Sequence, residues 1–169
     1  QNTPFRLYKH FNHEGGISTP LIAHWPAGIA AKNEFRRQPG HVIDVMATVV
    51  DVAGAVYPQE FNGKAIRPME GRSLVPAFAD KPIAREAIYW EHEGNAAVRQ
   101  GDLKLVRQGR DGPWELYDLK VDRTELHDLA QSQPEKAKEL ATLWRAWAER
   151  AQVLPAPGAK GGKKKAKKK

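Results

Sequence analysis

The stretch Lys9-His10-Phe11-Asn12-His13-Glu14-Gly15-Gly16-Ile17-Ser18-Thr19-Pro20 runs directly into Leu21-Ile22-Ala23-His24-Trp25-Pro26. It places a lysine, two histidines and a glutamate before a glycine pair, and an apolar segment follows. Glycines lack a Cβ atom, so the backbone can come close to a bound group, and a lysine ammonium binds tetrahedral oxyanions. These residue types at this spacing indicate one wall of an anion pocket at the edge of a sheet. The stretch by itself leaves open a plain turn with a solvated lysine.

The amino-acid composition excludes several classes of protein and of binding site. The chain has no cysteine, which excludes a disulfide framework and a thiolate metal site. Residues 156–169 hold seven of the 27 basic residues and no acid, and without them 20 basic residues face 20 acidic ones. A neutral body lacks the basic face of a nucleic-acid-binding domain, so no specific nucleic-acid partner is expected. No apolar run is long enough for a membrane span, and the start at Gln1 predicts a processed product or a fragment.

The first half of the chain predicts part of an α/β fold. The glycine pair favours irregular backbone through residue 16. Thr19–Trp25 has the nearly continuous apolar character of a strand buried on both faces of a sheet. Asp44 is predicted to be the N-cap of a helix over residues 45–53 that stops at Gly54. The apolar residues of this helix should face the core: Val45, Met46, Val49, Val52 and Ala53.

The second half predicts an antiparallel meander of about four strands, beginning near residue 87 and ending near residue 118. Leu103–Arg107 alternates apolar and basic residues, as a half-buried strand does. A last helix should begin at Pro134, with Ser132 or Gln133 as its cap, and cover one face of the sheet. The residues predicted to make that contact are Leu140, Trp144, Trp147, Ala148 and Ala151.

The motif Lys-x-x-x-x-Glu-Gly-Gly at residues 9–16, followed by Pro20, the apolar segment and Trp25-Pro26, is similar to the active-site lysine segment of sulfatases, arylsulfatases in particular. The segments 44–54, 70–76 and 115–119 occur in the order that such enzymes show. The resemblance covers nearly everything from Asn2 to about Gly158.

This resemblance implies the C-terminal part of an alkaline-phosphatase-like α/β sandwich, followed by a small antiparallel sheet packed on a C-terminal helix. Residues 1–84 would be the end of the catalytic α/β domain and residues 85–155 a small α+β subdomain. Residues 156–169 are predicted to be a disordered lysine-rich tail.

The resemblance also implies which chemistry lies elsewhere. Sulfatases use a formylglycine made in a Cys/Ser-x-Pro-x-Arg motif, and a Ca²⁺ or Mg²⁺ ion bound by Asp and Asn residues, and neither set is present in this sequence. Both cofactors are expected upstream in the complete enzyme, no metal ligand is assigned here, and the chain alone should be inactive. Lys9 is the one catalytic position that carries over, where it would bridge the sulfate oxygens and the formylglycine.

Three further residues are predicted to contact the substrate. His13 would line the same pocket as Lys9, with His10 as another candidate for the pocket wall. His92 and Glu93 end the first strand of the meander, where a solvated strand end is the alternative. Many members carry arginine where this chain has Ser18, which weakens the expectation of a partner for Glu14.

The sequence therefore predicts the C-terminal part of an arylsulfatase that acts on an aryl sulfate or a sulfated polysaccharide, with the N-terminal part of the catalytic domain as its structural partner. A phosphonate or phosphate ester hydrolase of the same superfamily stays open, because Lys9 would serve a phosphoryl oxyanion equally. So does a non-catalytic polyanion-binding protein that uses the lysine tail. The compartment is open, with a periplasmic or secreted location favoured over a cytoplasmic one.

Overall fold

The structure is a computed structural model and describes residues 2–30 and 33–154. The chain forms two compact units. Residues 2–19 and 87–154 form one, here called the sheet unit, and residues 20–86 form the other, the connector unit. The predicted boundary between residues 84 and 85 concerns the complete protein and stays a prediction, and the predicted tail at 156–169 lies outside the described residues.

Ten helices and strands follow one another in the part of the chain that the structure describes. They are α1 (Glu14–Ile17), α2 (Asp44–Val52), β1 (Glu60–Phe61), β2 (Lys64–Ala65), α3 (Val75–Phe78), β3 (Ile88–His92), β4 (Asn95–Gln100), β5 (Leu103–Arg107), β6 (Glu115–Asp118) and α4 (Pro134–Arg150).

The sheet unit is built on the predicted meander. Its four strands lie in the order β3-β4-β5-β6, and each pair of neighbours is antiparallel. A two-residue turn joins β3 to β4, with φ +53° at Glu93 and +87° at Gly94. Positive φ at both positions is the mark of a type I′ turn, which matches the twist of a hairpin. The prediction of a four-stranded antiparallel sheet is confirmed.

Helix α4 covers one face of this sheet, as predicted. Gln133 is its N-cap and Pro134 occupies the first turn. The shared core consists of Ala96, Val98, Leu105, Leu116, Leu140, Trp144 and Ala148. Trp144 is 3% exposed. Trp147 is only half-buried and stacks on Tyr89 with ring centroids 5.1 Å apart. The helix therefore docks as expected, with Trp144 as its enclosed aromatic residue.

Residues 2–19 contact the opposite face of the sheet. Arg6 Nη1 donates a hydrogen bond to Tyr117 Oη at 2.7 Å, and Lys104 Nζ donates to Glu14 Oε1 at 3.0 Å. Lys104, Leu105 and Val106 are all fully buried. The expectation of a half-buried β5 is wrong, because one face of the strand meets α4 and the other meets this N-terminal segment.

The connector unit departs from prediction at residues 19–25. No strand forms there, and Leu21 and Ile22 are 65% and 89% exposed. A strand needs a neighbouring strand for its backbone groups, and none among the described residues pairs with this segment. Residues 19–25 thus have the apolar pattern of a strand, but the described part of the chain contains no sheet that they join.

Helix α2 confirms its predicted end and corrects its predicted start. Gly54 follows the helix with φ +61°, the left-handed conformation that ends many helices. The N-cap is Ile43, and Asp44 is the first helical residue. Its buried carboxylate accepts hydrogen bonds from His41 N (2.7 Å) and Arg72 N (2.8 Å). Asp44 thus fixes two loops and does not cap its helix.

The apolar stripe of α2 does not face a core in this chain. Within the helix only Asp44 and Ala47 are buried. The exposed apolar residues are Val45, Met46, Val49 and Val52. The prediction of a core-facing stripe is wrong for these residues, because no described element covers it.

Candidate functional site

Lys9 lies in an exposed turn that the glycine pair holds against α1. Gly15 N donates to Arg6 O at 2.9 Å. A Cβ atom at Gly15 would lie 2.1 Å from that oxygen, and one at Gly16 would lie 1.8 Å from Phe11 O. Both contacts require glycine. The pair allows a close backbone approach, as predicted, but the approach is to the chain's own loop, and the pair forms a helical turn where irregular backbone was expected.

The Lys9 side chain is available to a ligand. The residue is exposed, and its ammonium makes no hydrogen bond or ion pair within residues 2–30 and 33–154. The next residue is fixed through its backbone, because Asn95 Nδ2 donates to His10 O at 2.7 Å. A free cation on a fixed turn is suited to binding an anion.

Three side chains meet beside this turn. His10 Nδ1 lies 2.9 Å from Glu93 Oε2, and His92 Nε2 lies 3.9 Å from Glu93 Oε1. The two imidazole rings stack with centroids 6.1 Å apart and an interplanar angle of 19°. The structure thus brings the predicted residues His92 and Glu93 to His10, the neighbour of Lys9. Their contact with substrate stays a prediction.

A network of buried charges supports α1. Lys104 Nζ lies 3.0 Å from Glu14 Oε1 and 2.8 Å from Glu125 Oε1, and Glu125 Oε2 accepts a hydrogen bond from Glu14 N at 2.8 Å. Burial raises the pKa of Glu14, but the ammonium of Lys104 and the guanidinium of Arg123 lower it, and the pKa lies below its usual value. Glu14 is therefore an ionised anchor.

Glu14 has an arginine partner although residue 18 is serine, and that partner is Arg123. Its Nη2 atom lies 3.0 Å from Glu14 Oε2 and 2.9 Å from Ser18 Oγ. Although position 18 is serine, a guanidinium from a distant part of the chain pairs with Glu14.

His13 lies inside the sheet unit. Its side chain is 0% exposed, and its Nε2 atom lies 3.3 Å from Glu115 Oε2. The same carboxylate accepts hydrogen bonds from Tyr117 Oη and from Arg6 Nη1. The hydrogen bond from His13 outweighs burial and lowers the pKa of Glu115 to about 2. The predicted contact of His13 with substrate stays a prediction, and in this chain its partner is Glu115.

The sequence interpretation missed the residues that hold the site in place. They are Arg6, Lys104, Glu115, Arg123 and Glu125. One signal was present: Lys104 stands between apolar residues in a strand pattern, where a buried lysine needs a carboxylate partner. Which carboxylates it meets depends on contacts across 90 and 21 residues of sequence.

The described residues do not fit the hard cation that sulfatases use. Within them, one group of three side chains brings its potential ligand atoms within 4.8 Å of one another, and its members are His10, His92 and Glu93. Ca²⁺ takes about six to eight oxygen ligands, whereas this group offers two imidazoles and one carboxylate. These three residues therefore do not form a site for the Ca²⁺ or Mg²⁺ ion.

Comparisons with known protein sequences match this chain to sulfatases. The sequence profile of the family described as N-sulphoglucosamine sulphohydrolase, C-terminal, matches residues 5–152. A Schizosaccharomyces pombe sulfatase is 32% identical over 164 residues, with 91% of this chain and 29% of the relative covered. An N-acetylglucosamine-6-O-sulfatase of Bacteroides thetaiotaomicron is 30% identical, with 80% and 25% covered. The chain thus spans less than a third of the length of these relatives.

Solved structures share the fold. A crystal structure of Ps i-CgsB in complex with k-i-k-neocarrahexaose superposes with a TM-score of 0.73 at 24% identity, over 88% of this chain and 32% of that one. A Bacteroides thetaiotaomicron structure from work on glycosaminoglycan metabolism gives 0.71 at 22% identity, over 86% and 32%. In the described part of the chain, no helix is both long and apolar enough to cross a membrane.

With a profile match over most of its length and a glycine-pinned lysine turn at its start, the chain belongs to the sulfatase family, as a C-terminal portion of the N-sulphoglucosamine sulphohydrolase type.

Proposed function

We propose that the complete protein hydrolyses sulfate esters and that Lys9 binds the sulfate group. The observation that carries this proposal is the Lys9 turn: an exposed ammonium on a backbone pinned by Gly15, Gly16 and Asn95. Family membership supports the same reaction.

Lys9 would act by electrostatics. Its ammonium would offset negative charge on the sulfate oxygens, both in the bound ester and as the leaving oxygen departs. Donors fixed before the reaction need no reorganisation at the moment of reaction, and this is the source of their large effect on rate. Glu14 would hold α1, and with it the turn, through Lys104 and Arg123.

The nucleophile and the cation would come from the part of the protein that precedes this chain. When present, formylglycine supplies the attacking oxygen and a Ca²⁺ or Mg²⁺ ion stabilises charge. The described residues offer neither function, so the isolated chain should not catalyse the reaction.

We further propose a sulfated sugar polymer as the substrate class. Several relatives have names that specify amino-sugar sulfates, such as N-acetylgalactosamine-6-sulfatase and N-acetylglucosamine-6-O-sulfatase. The half-exposed side chains of His92 and Glu93 could donate to and accept from sugar hydroxyls beside Lys9. His13 would support the site from inside the sheet unit.

The test compares sulfate with phosphate. The complete protein should show a higher kcat/KM on an aryl sulfate than on the matching aryl phosphate, and the isolated chain should be inactive on both. A complete enzyme that prefers the phosphate would replace this proposal with the phosphate or phosphonate ester hydrolase alternative.

The N-terminal part of the catalytic domain is the proposed partner of the connector unit. It would cover the apolar stripe of α2, where Val49 is 57% exposed. Val49→Asp should then change the free energy of unfolding of the isolated chain by less than about 0.5 kcal/mol. In the complete protein it should cost at least about 2 kcal/mol, because a charge would be buried. Asp51→Asn on the same helix is the control, and equal small effects of Val49→Asp in both proteins would contradict the proposal.

A further inference from the structure

We propose that His10, His92 and Glu93 form a binding site for a divalent transition-metal ion of the Zn²⁺ type. Their ligand atoms all lie within 4.8 Å of one another. Around a tetrahedral zinc ion, with bonds of about 2.0–2.2 Å, ligand atoms lie roughly 3.3 Å apart. His10 Nδ1 lies 2.9 Å from Glu93 Oε2 and His92 Nε2 lies 3.9 Å from Glu93 Oε1, so the two oxygens of one carboxylate face the two imidazoles.

The backbone already holds the three ligands in place. Asn95, which is nearly fully buried, donates from Nδ2 both to His10 O at 2.7 Å and to His92 O at 3.0 Å. One amide therefore fixes both histidines. Glu93 sits in the type I′ turn, whose next residue, Gly94, donates its N–H to Glu91 Oε1 at 2.8 Å. The three side chains therefore extend from backbone positions that hydrogen bonds hold.

The donor set selects the metal. Two imidazole nitrogens and one carboxylate are a ligand set that zinc uses where one position stays open to solvent. Ca²⁺ and Mg²⁺ prefer all-oxygen sites. This site, with two nitrogen ligands, therefore differs from the site of the Ca²⁺ or Mg²⁺ ion that sulfatases use. His92 and Glu93 are 53% and 58% exposed, which leaves that open position accessible.

An ion here would have a structural consequence. It would replace the hydrogen bond between His10 and Glu93 and cross-link the Lys9 turn to the turn between β3 and β4. Imidazole binds metals only when neutral, so the ion should bind more weakly as the solution becomes acidic. The site stands on these three residues and does not depend on the proposed sulfatase activity, but a bound ion would occupy the His92 and Glu93 atoms proposed above for sugar hydroxyls.

Calorimetric titration of the full chain with ZnCl₂ tests the site. Binding should be one-to-one, and it should weaken at least about tenfold in His92→Gln and in Glu93→Asn. Asparagine tolerates positive φ, so Glu93→Asn removes the carboxylate and keeps the turn. His127→Gln is the matched control, because His127 is an exposed histidine 3.5 Å from Asp122, and it should bind zinc as the parent does.

Thermal unfolding gives a second readout. Zinc should raise the melting temperature of the parent and of His127→Gln by binding the folded state, and should not raise that of Glu93→Asn. The proposal is overturned if the parent shows no saturable one-to-one binding. It is also overturned if His92→Gln and Glu93→Asn retain the parent affinity, or if His127→Gln loses as much as they do.

Discussion

At the scale of single residues, Lys104 is the buried cation that supports α1 from the sheet. Its ammonium is fully buried between Glu14 and Glu125. An ion pair that is removed from water is stable only when each charge keeps its partners. Lys104 therefore ties β5 to α1, and α1 carries the glycines against which the Lys9 turn packs.

Replacing Lys104 with methionine should leave Glu14 and Glu125 as buried carboxylates without their shared cation. We expect a loss of about 3–5 kcal/mol in the free energy of unfolding, measured by urea denaturation. Lys120→Met, at an exposed lysine of the same unit, should change it by less than about 0.5 kcal/mol. Adding Glu125→Gln to Lys104→Met should recover part of the loss. A loss below about 1 kcal/mol for Lys104→Met would contradict the buried network.

Glu115 makes the stability of the sheet unit depend on pH. The hydrogen bond from His13 lowers the pKa of Glu115 from 4.5 to about 2 in the folded state. A lowered pKa means that the unfolded state binds a proton first as the pH falls. The stabilisation is therefore complete above about pH 4.5 and is lost as the pH falls toward about 2.

In Glu115→Gln, the free energy of unfolding should fall less steeply over this pH window. Part of the slope should remain, because Glu14 also has a lowered pKa. Denaturation curves between pH 2 and pH 6 measure the slope, and Glu149→Gln on the exposed face of α4 serves as the control. Parallel curves for the parent and Glu115→Gln would show that Glu115 does not carry the effect.

At the scale of elements, Trp144 is the most enclosed aromatic residue by which α4 packs on the sheet. Trp144 is almost fully enclosed, its Nε1 donates to Trp90 O at 3.0 Å, and its ring meets Trp114 edge-on at 5.8 Å. Trp144→Ala should cost about 3–5 kcal/mol of unfolding free energy. Trp147→Ala should cost less, because Trp147 is only half-buried. Arg145→Ala between them is the exposed control, and equal costs for both tryptophans would contradict this packing.

At the scale of the whole molecule, an element was predicted correctly from the sequence when the elements that it packs against lie within the same chain. The meander and α4 bury their apolar residues against each other. Their hydrophobic patterns were therefore sufficient to predict both elements. Residues 19–25 and α2 carry core-type apolar patterns, but they find no cover among the described residues. For the candidate site, the motif predicted Lys9 and the strand end predicted His92 and Glu93, and their contact with a substrate stays a prediction. The buried pairs of Lys104 were missed because they join residues far apart in sequence.

The most direct test of the central claim is the effect of Lys9→Ala on the complete enzyme. The expected result is a fall of at least about 100-fold in kcat/KM on a sulfate ester, the size of effect that follows loss of a single oxyanion donor. Lys120→Ala, at an exposed lysine of the same unit, should leave kcat/KM unchanged. If Lys9→Ala retains kcat/KM within a factor of about three of the parent while Lys120→Ala is unaffected, Lys9 does not bind the sulfate group and the proposed site is wrong.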